Sequence, residues 1–177
     1  DLRIQASLLN TFNKNVESNK AADELLDNYN EELPDSVKTD LILLKADNYL
    51  KLFDYKGAFE TNNIIINNYA LSMDSSEYAE AVNMRNIYEP LVGTPPQKVI
   101  ISNDNYIPLS RDVVGLMNVS VRFGENYYNL IFDTGAGMSS IKRSFAEDLG
   151  LEMMETSIDA NAATGKVVKT SLAVSDS

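Results

Sequence analysis

A change of texture at Val92-Gly93-Thr94-Pro95-Pro96-Gln97 divides this 177-residue chain into two different kinds of polymer. Before it, Gly57, Pro34 and Pro90 are the only Gly or Pro residues, and apolar side chains recur at helical spacings. After it come short runs of alternating apolar and polar residues, separated by turn formers. Gly followed by paired Pro ends a helix, because Pro lacks an N–H and drives the residue before it toward extended backbone. The expected class is therefore α+β and multidomain. Helical hairpins occupy residues 1–92, a linker and leading strand 93–106, and a strand-rich unit 107–177.

In the first part, Leu8, Leu9 and Phe12, then Ala21, Ala22, Leu25, Leu26 and Tyr29, outline one helical pair. Pro34-Asp35-Ser36 opens a longer helix, in which Ile42, Ala46, Tyr49 and Phe53 form an apolar stripe widened by Leu41, Leu44 and Leu52. A break at Asp54-Tyr55-Lys56-Gly57 leads into a helix with Ala58, Phe59, Ile65, Ile66 and Tyr69 on its packing face. Asp74, with Glu77 three residues on, reads as a capping box opening a last helix that carries Tyr78, Ala81, Val82, Tyr88 and Val92. Hairpins of this length are similar to tetratricopeptide-type repeats. The best unit runs from Thr39 to Ser72, with Ala46, Tyr49, Tyr55 and Ala58 at that repeat's small and aromatic positions, and it departs from the pattern at Asn62 and Ala70. The resemblance implies a concave face that binds peptide or protein segments. A generic array of helical hairpins accounts for the same stripes.

In the second part, Met117, Val119, Val121 and Phe123 alternate with Asn118, Ser120 and Arg122, the pattern of a half-buried strand. Gly124-Glu125-Asn126 supplies a turn, and Tyr127 to Phe132 returns as the second strand of a hairpin. That strand delivers Asp133 into a tight turn of small residues, Thr134-Gly135-Ala136. Met138 to Ile141 leads away from the turn. Ser144 to Leu149 is a short helix stopped by Gly150. Lys98 to Ser102 reads as a strand, Asn103-Asp104-Asn105 as a turn, and Tyr106 to Leu109 as the lead into the sheet.

This order of strand, turn, strand, Asp-Thr-Gly-Ala, helix and Leu149-Gly150-Leu151 resembles the retropepsin-like (retroviral-type) aspartyl proteases. The resemblance implies the N-terminal part of an all-β acid-protease domain acting as an endopeptidase. In such an enzyme two aspartates share one proton, since neighbouring carboxylates cannot both ionise comfortably. One takes a proton from the attacking water while the other polarises the scissile carbonyl. Asp133 is then catalytic, Thr134 braces the loop, and Gly135 allows close approach. Ala136 and Gly137 would border the substrate, as would Thr164, Gly165 and Lys166 in a flap hairpin. Gly137 and Met138 depart from the acidic residues that relatives carry there, which leaves subsite preference open.

Only one Asp-Thr-Gly occurs in the sequence. The expectation is that a second protease-like lobe or a homodimer partner supplies the other aspartate. The chain ends soon after the flap, so it is expected to be part of a longer protein and inactive by itself. The rival from another class is a non-catalytic interaction protein, whose protease-like part serves dimerisation or peptide docking. A plain α+β domain in which Asp133 only caps an Asx-turn would instead leave that residue buried or away from any cleft. Gly135-Ala136-Gly137 lacks the length and Lys of a phosphate-binding loop.

Composition narrows the chemistry. With no Cys and no His, thiol catalysis, Ser-His triads and the usual zinc sites are excluded, leaving carboxylates as the natural catalytic groups. No cofactor or metal is expected. The net charge of −11 argues against nucleic acid as a partner, and no stretch is long enough to span a membrane. The Asn-rich, Cys-free style, taken with the resemblance, suggests a bacterial exported protein, periplasmic or at the cell surface. A signal or lipid-attachment segment removed ahead of Asp1 would fit that expectation.

Overall fold

The computed structural model describes the chain apart from residues 102, 105, 135–137, 155, 162–164, 176 and 177, and apart from the side chain of Asn161. It divides into two compact units. Asp1–Gln97 with Met154–Leu172 form the first, and Lys98–Met153 with Ala173–Ser177 the second.

The first unit is led by five helices: α1 (Leu2–Thr11), α2 (Asn15–Tyr29), α3 (Asp35–Lys51), α4 (Tyr55–Asn68) and α5 (Ser75–Leu91). Each packs against the next. The turns joining α1 to α2 and α3 to α4 have the same construction. Asn13 (φ 56) and Phe53 (φ 60) adopt left-handed backbone, and the residues after them, Lys14 and Asp54, donate N–H bonds to the carbonyls of Leu9 and Tyr49. Both are six-to-one closures of a helix C-terminus. Asn13 and Phe53 lie forty residues apart in the chain, as do the buried pairs Ala6 and Ala46, and Ser18 and Ala58. The two hairpins thus repeat one design, with small residues where helices approach closely.

One core cluster gathers Ala6, Ala21, Ala22 and Leu41, flanked by Leu9, Leu25, Leu26, Leu33, Val37 and Leu44. A second joins Ile42, Ile65 and Ala81. Beside the first cluster, part of the interior between α1, α2 and α3 is polar. The Asn48 amide, fully buried, donates to Ser18 Oγ at 2.9 Å and Asn19 Oδ1 at 2.8 Å, and its carbonyl accepts from Asn10 at 2.9 Å. Asn62, the residue that departs from the repeat pattern, is also fully buried, and donates to the Ala81 carbonyl across the α4–α5 seam. Burial pushes the Tyr88 phenol well above its ordinary value, and the negative charge of Asp47 adds to the shift.

Helix α5 begins with the capping box expected from sequence. Asp74 accepts from the Ser76 and Glu77 N–H groups, and Glu77 accepts from the Asp74 N–H. The first unit also holds a hairpin of β5 (Ile158–Asn161) and β6 (Val167–Thr170), paired antiparallel with Ile158 opposite Thr170. Asn83 and Asn86 of α5 bond this hairpin directly.

In the second unit, β1 (Leu109–Arg111), β2 (Met117–Phe123) and β3 (Asn126–Ile131) form an antiparallel sheet in that order. A two-residue loop joins β2 to β3, and Gly124 (φ 55) occupies its first position, where the turn requires left-handed backbone. Helix α6 (Arg143–Asp148) ends on Gly150 (φ 67), whose N–H donates to Glu147 while that of Leu151 donates to Ala146. This is the complete two-bond glycine stop. Short strands β4 (Glu152–Met153) and β7 (Ala173–Val174) pair antiparallel. Of residues 98–102, expected as a strand, 98–101 join no ladder among the described residues, and Ser102 lies outside them. Val99, Ile100 and Ile101 are strand formers, but strand propensity is expressed only against a partner, and all three are exposed.

Candidate active site

The three-stranded sheet determines how Asp133 is held. Across β2 and β3, Val119 faces Leu130, Val121 faces Tyr128 and Phe123 faces Asn126. The apolar members share one side, because directly opposed residues of a ladder point to the same face. The Tyr128 ring meets Phe123 at 6.1 Å and Phe145 of α6 at 4.9 Å between centroids, both edge-on. These contacts seat α6 on that side and fix the strand that leads to the motif.

The β2–β3 register ends with Asn118 opposite Ile131, and one more bond follows, from the Phe132 N–H to the Met117 carbonyl at 2.8 Å. Met117 belongs to the central strand and pairs with Arg111 of β1 on its other side. Asp133 is therefore the first residue released from the ladder, one peptide beyond a backbone position locked to the middle of the sheet. Asp133 and Thr134 are both exposed. The residue is thus held through the main chain that precedes it and is exposed to solvent.

Of the other expected site residues, Gly135, Ala136, Gly137 and Thr164 lie outside the described residues. Gly165, with φ of 76, and Lys166 stand exposed in the connection between β5 and β6. Asp133 and Thr134 thus stand side by side at the end of β3, and Gly165 and Lys166 together at the hairpin. The two pairs fall in different compact units.

Two features had weaker signals in the sequence. Asp112 organises the β1–β2 loop, accepting N–H bonds from Val114 at 3.0 Å and Leu116 at 2.9 Å. Desolvation opposes its charge, but the bonds from Leu116, Val114, Asn118 and Gly115 outweigh it, so the carboxyl sits below the ordinary aspartate value. Asp-Val-Val-Gly is a turn pattern that hints at this. The second feature is the α5 seat for the hairpin, where Asn83 and Asn86 are indistinguishable in sequence from ordinary polar surface. Among the described residues no cluster of acidic side chains is arranged to hold a metal, and no helix is long and apolar enough to cross a membrane.

Comparison with known proteins adds one match: the aspartyl protease family model fits residues 119–177, from the middle of β2 through the Asp133 motif and the hairpin. No curated protein and no solved structure matches the chain. The C-terminal third of this α+β chain is thus similar to the aspartyl protease family, and an N-terminal region of helices precedes it.

Proposed function

We propose that this chain contributes Asp133 to an aspartic endopeptidase that hydrolyses peptide bonds with water activated between two aspartates. The observation that carries the reading is the position of Asp133. It is exposed, immediately follows the Phe132–Met117 bond that ends the ladder, and lies within the residues matched by the protease family. The ionised member of the pair removes a proton from water as the protonated member donates to the scissile carbonyl. Since the sequence holds one Asp-Thr-Gly, the second aspartate comes from a second copy or a second lobe. Thr134 and Gly135 shape the loop, Ala136 and Gly137 border the substrate, and the β5–β6 hairpin with Thr164, Gly165 and Lys166 acts as a flap. The helical hairpins, read as tetratricopeptide-like, would hold a peptide or protein partner. Export to the periplasm or cell surface of a bacterium completes the reading.

The test is cleavage of an unfolded protein substrate between pH 4 and 7 by the full-length product of the encoding gene, beside its Asp133→Asn variant. Cleavage by the parent alone supports the proposal, with activity favouring mildly acidic pH because one carboxyl must keep its proton. Absence of cleavage by a folded parent favours the alternative of a non-catalytic binding module, a reading that the single Asp-Thr-Gly also accommodates.

A further inference from the structure

Helix α1 presents an uncharged apolar stripe to solvent. Ile4, Leu8 and Phe12, one helical turn apart, are 59%, 54% and 72% exposed. No residue from Ile4 to Asn13 carries a charge, in a chain of which 23% of residues do. Beside the stripe, the Ser7 and Thr11 hydroxyls donate to carbonyls of their own helix, those of Arg3 and Ser7. The face is thus apolar, with polar neighbours whose donors are already used.

The forty-residue likeness of the hairpins shows that this face is built for packing. Helices α3 and α5 begin forty residues apart, and the positions matching Ile4 and Leu8 are Leu44 and Asn48 in the one, Met84 and Tyr88 in the other. Leu44 packs on the first core cluster and Asn48 is bonded to α2. Met84 is half-buried and Tyr88 fully buried. The third position behaves differently. Leu52 and Val92, which match Phe12, each remain 40% exposed although a preceding hairpin is in place against their helices. A further hairpin stacked on α1 in the same manner would cover Ile4 and Leu8 but leave Phe12 largely in water.

A second α1 running antiparallel covers all three. With Leu8 facing Leu8 across a two-fold axis, Ile4 of each helix meets Phe12 of the other, so the stripe is its own complement. The uncharged flanks set no like charges against one another, which suits the core of an interface. At each end, Lys14 of one copy comes beside Asp1 of the other, opposite in sign, and the two helix dipoles run head to tail.

We propose that this face of α1 is the docking surface for a second copy of the chain, packed antiparallel about Leu8. It lies wholly within the helical unit and goes beyond the protease reading, on which it does not depend. The contact is small, so association belongs at about 10–100 µM.

The sequence has no Cys, so single introduced cysteines report the contact directly. The test is made on the full-length product of the encoding gene. Sedimentation equilibrium over about 1–300 µM is expected to show monomer and dimer in exchange. Leu8→Asp, which sets two carboxylates face to face on the axis, raises the dimer Kd at least about tenfold and leaves the melt of the dilute protein unchanged. Under mild oxidation Leu8→Cys cross-links to itself, whereas Ile4→Cys and Phe12→Cys cross-link efficiently only when mixed. A monomer throughout the range overturns the proposal. A dimer that Leu8→Asp leaves intact overturns it too, since association then uses another surface. If Leu8→Asp lowers the melt without altering association, a hairpin of the same protein occupies the face and the second copy is excluded. Ile4→Cys that cross-links to itself rather than to Phe12→Cys overturns the antiparallel arrangement.

Discussion

The two units bury their residues very differently. In the first, Ala6, Ala22, Leu41, Ala46, Ala58, Ile65 and Tyr88 are all but inaccessible, and even polar Ser18, Asn48 and Asn62 are enclosed. In the second, Ala146 is the one hydrophobic residue among those described that reaches full burial. Its sheet meets the Phe145 ring of α6 on one side, while Tyr127 and Ile131 on the other are 70% and 59% exposed. A three-stranded sheet with a single short helix lies near the lower limit of independent stability, whereas consecutive helical hairpins accumulate local contacts at every turn. The part that carries the Asp133 motif is thus the thinner structure. Placing reactive groups on the less stable element is common where loops must move or meet a partner.

The sharpest way to separate the units is to change one residue in each. Asp133→Asn removes a charge from an exposed position, so cleavage falls about a thousandfold while stability moves by less than about 0.5 kcal/mol. Parallel cleavage assays and thermal melts check this. A large loss of stability would show Asp133 to be a structural turn residue.

Ile65→Ala opens a cavity in the second helical cluster and should cost about 2–5 kcal/mol. Phe145→Ala removes the ring that meets Tyr128, but Phe145 is only partly buried, so about 1–2 kcal/mol is expected. Segment-resolved hydrogen exchange under increasing urea reports the units separately. If Phe145→Ala proved the costlier of the two, the second unit would have a better-formed core than the burial pattern indicates.

Asn48→Ala tests whether polar burial in the first unit differs from ordinary packing. The substitution takes one bonding partner from each of buried Ser18 and Asn19 and from partly buried Asn10, so about 1–3 kcal/mol is expected. Urea denaturation measures it. A cost near zero would mean that water or repacking replaces the network.

Residues whose meaning is local were legible in the sequence. The Asp74–Glu77 box, the Gly150 stop, the Gly124 turn and the strand leading to Asp133 each act within a few residues, and each stands where the pattern puts it. The forty-residue likeness of the helical hairpins was hidden because it preserves size and backbone geometry more than identity: Ser18 corresponds to Ala58, and Asn13 to Phe53. The seat on α5 was hidden for another reason. An Asn on a helix reads as solvated surface until the chain seventy residues later returns an unpaired strand edge to it. Residues 98–101 show the opposite error, since Lys98-Val99-Ile100-Ile101 has strong strand propensity but joins no ladder among the described residues. At Asp133 the leading strand could be read because its alternation is local. The grouping of the hairpin with the helices depends on contacts that no local pattern encodes.

The smallest effect separates the units by pH. Asp112 belongs to the thin second unit, and its carboxyl is held below the ordinary value by N–H groups of its own loop, against an opposing desolvation effect. A carboxyl lowered in the folded state contributes stability that is fully present above its unfolded value, about 3.9, and is lost as pH falls through the lower folded value. The Val114 and Leu116 amide resonances should therefore hold steady down to about pH 4 and shift together only below it. Asp112→Asn keeps an acceptor oxygen but cannot titrate, so in that variant the same amides should stay still. Helical resonances of the first unit should not follow the transition, because the bonds concerned close a loop of five residues. A midpoint at or above the ordinary aspartate value would mean that the loop bonds do not favour the charged form. The β1–β2 turn would then depend on its backbone bonds, Asp112 N–H to Leu116 and Gly115 N–H to Asp112, rather than on the carboxylate.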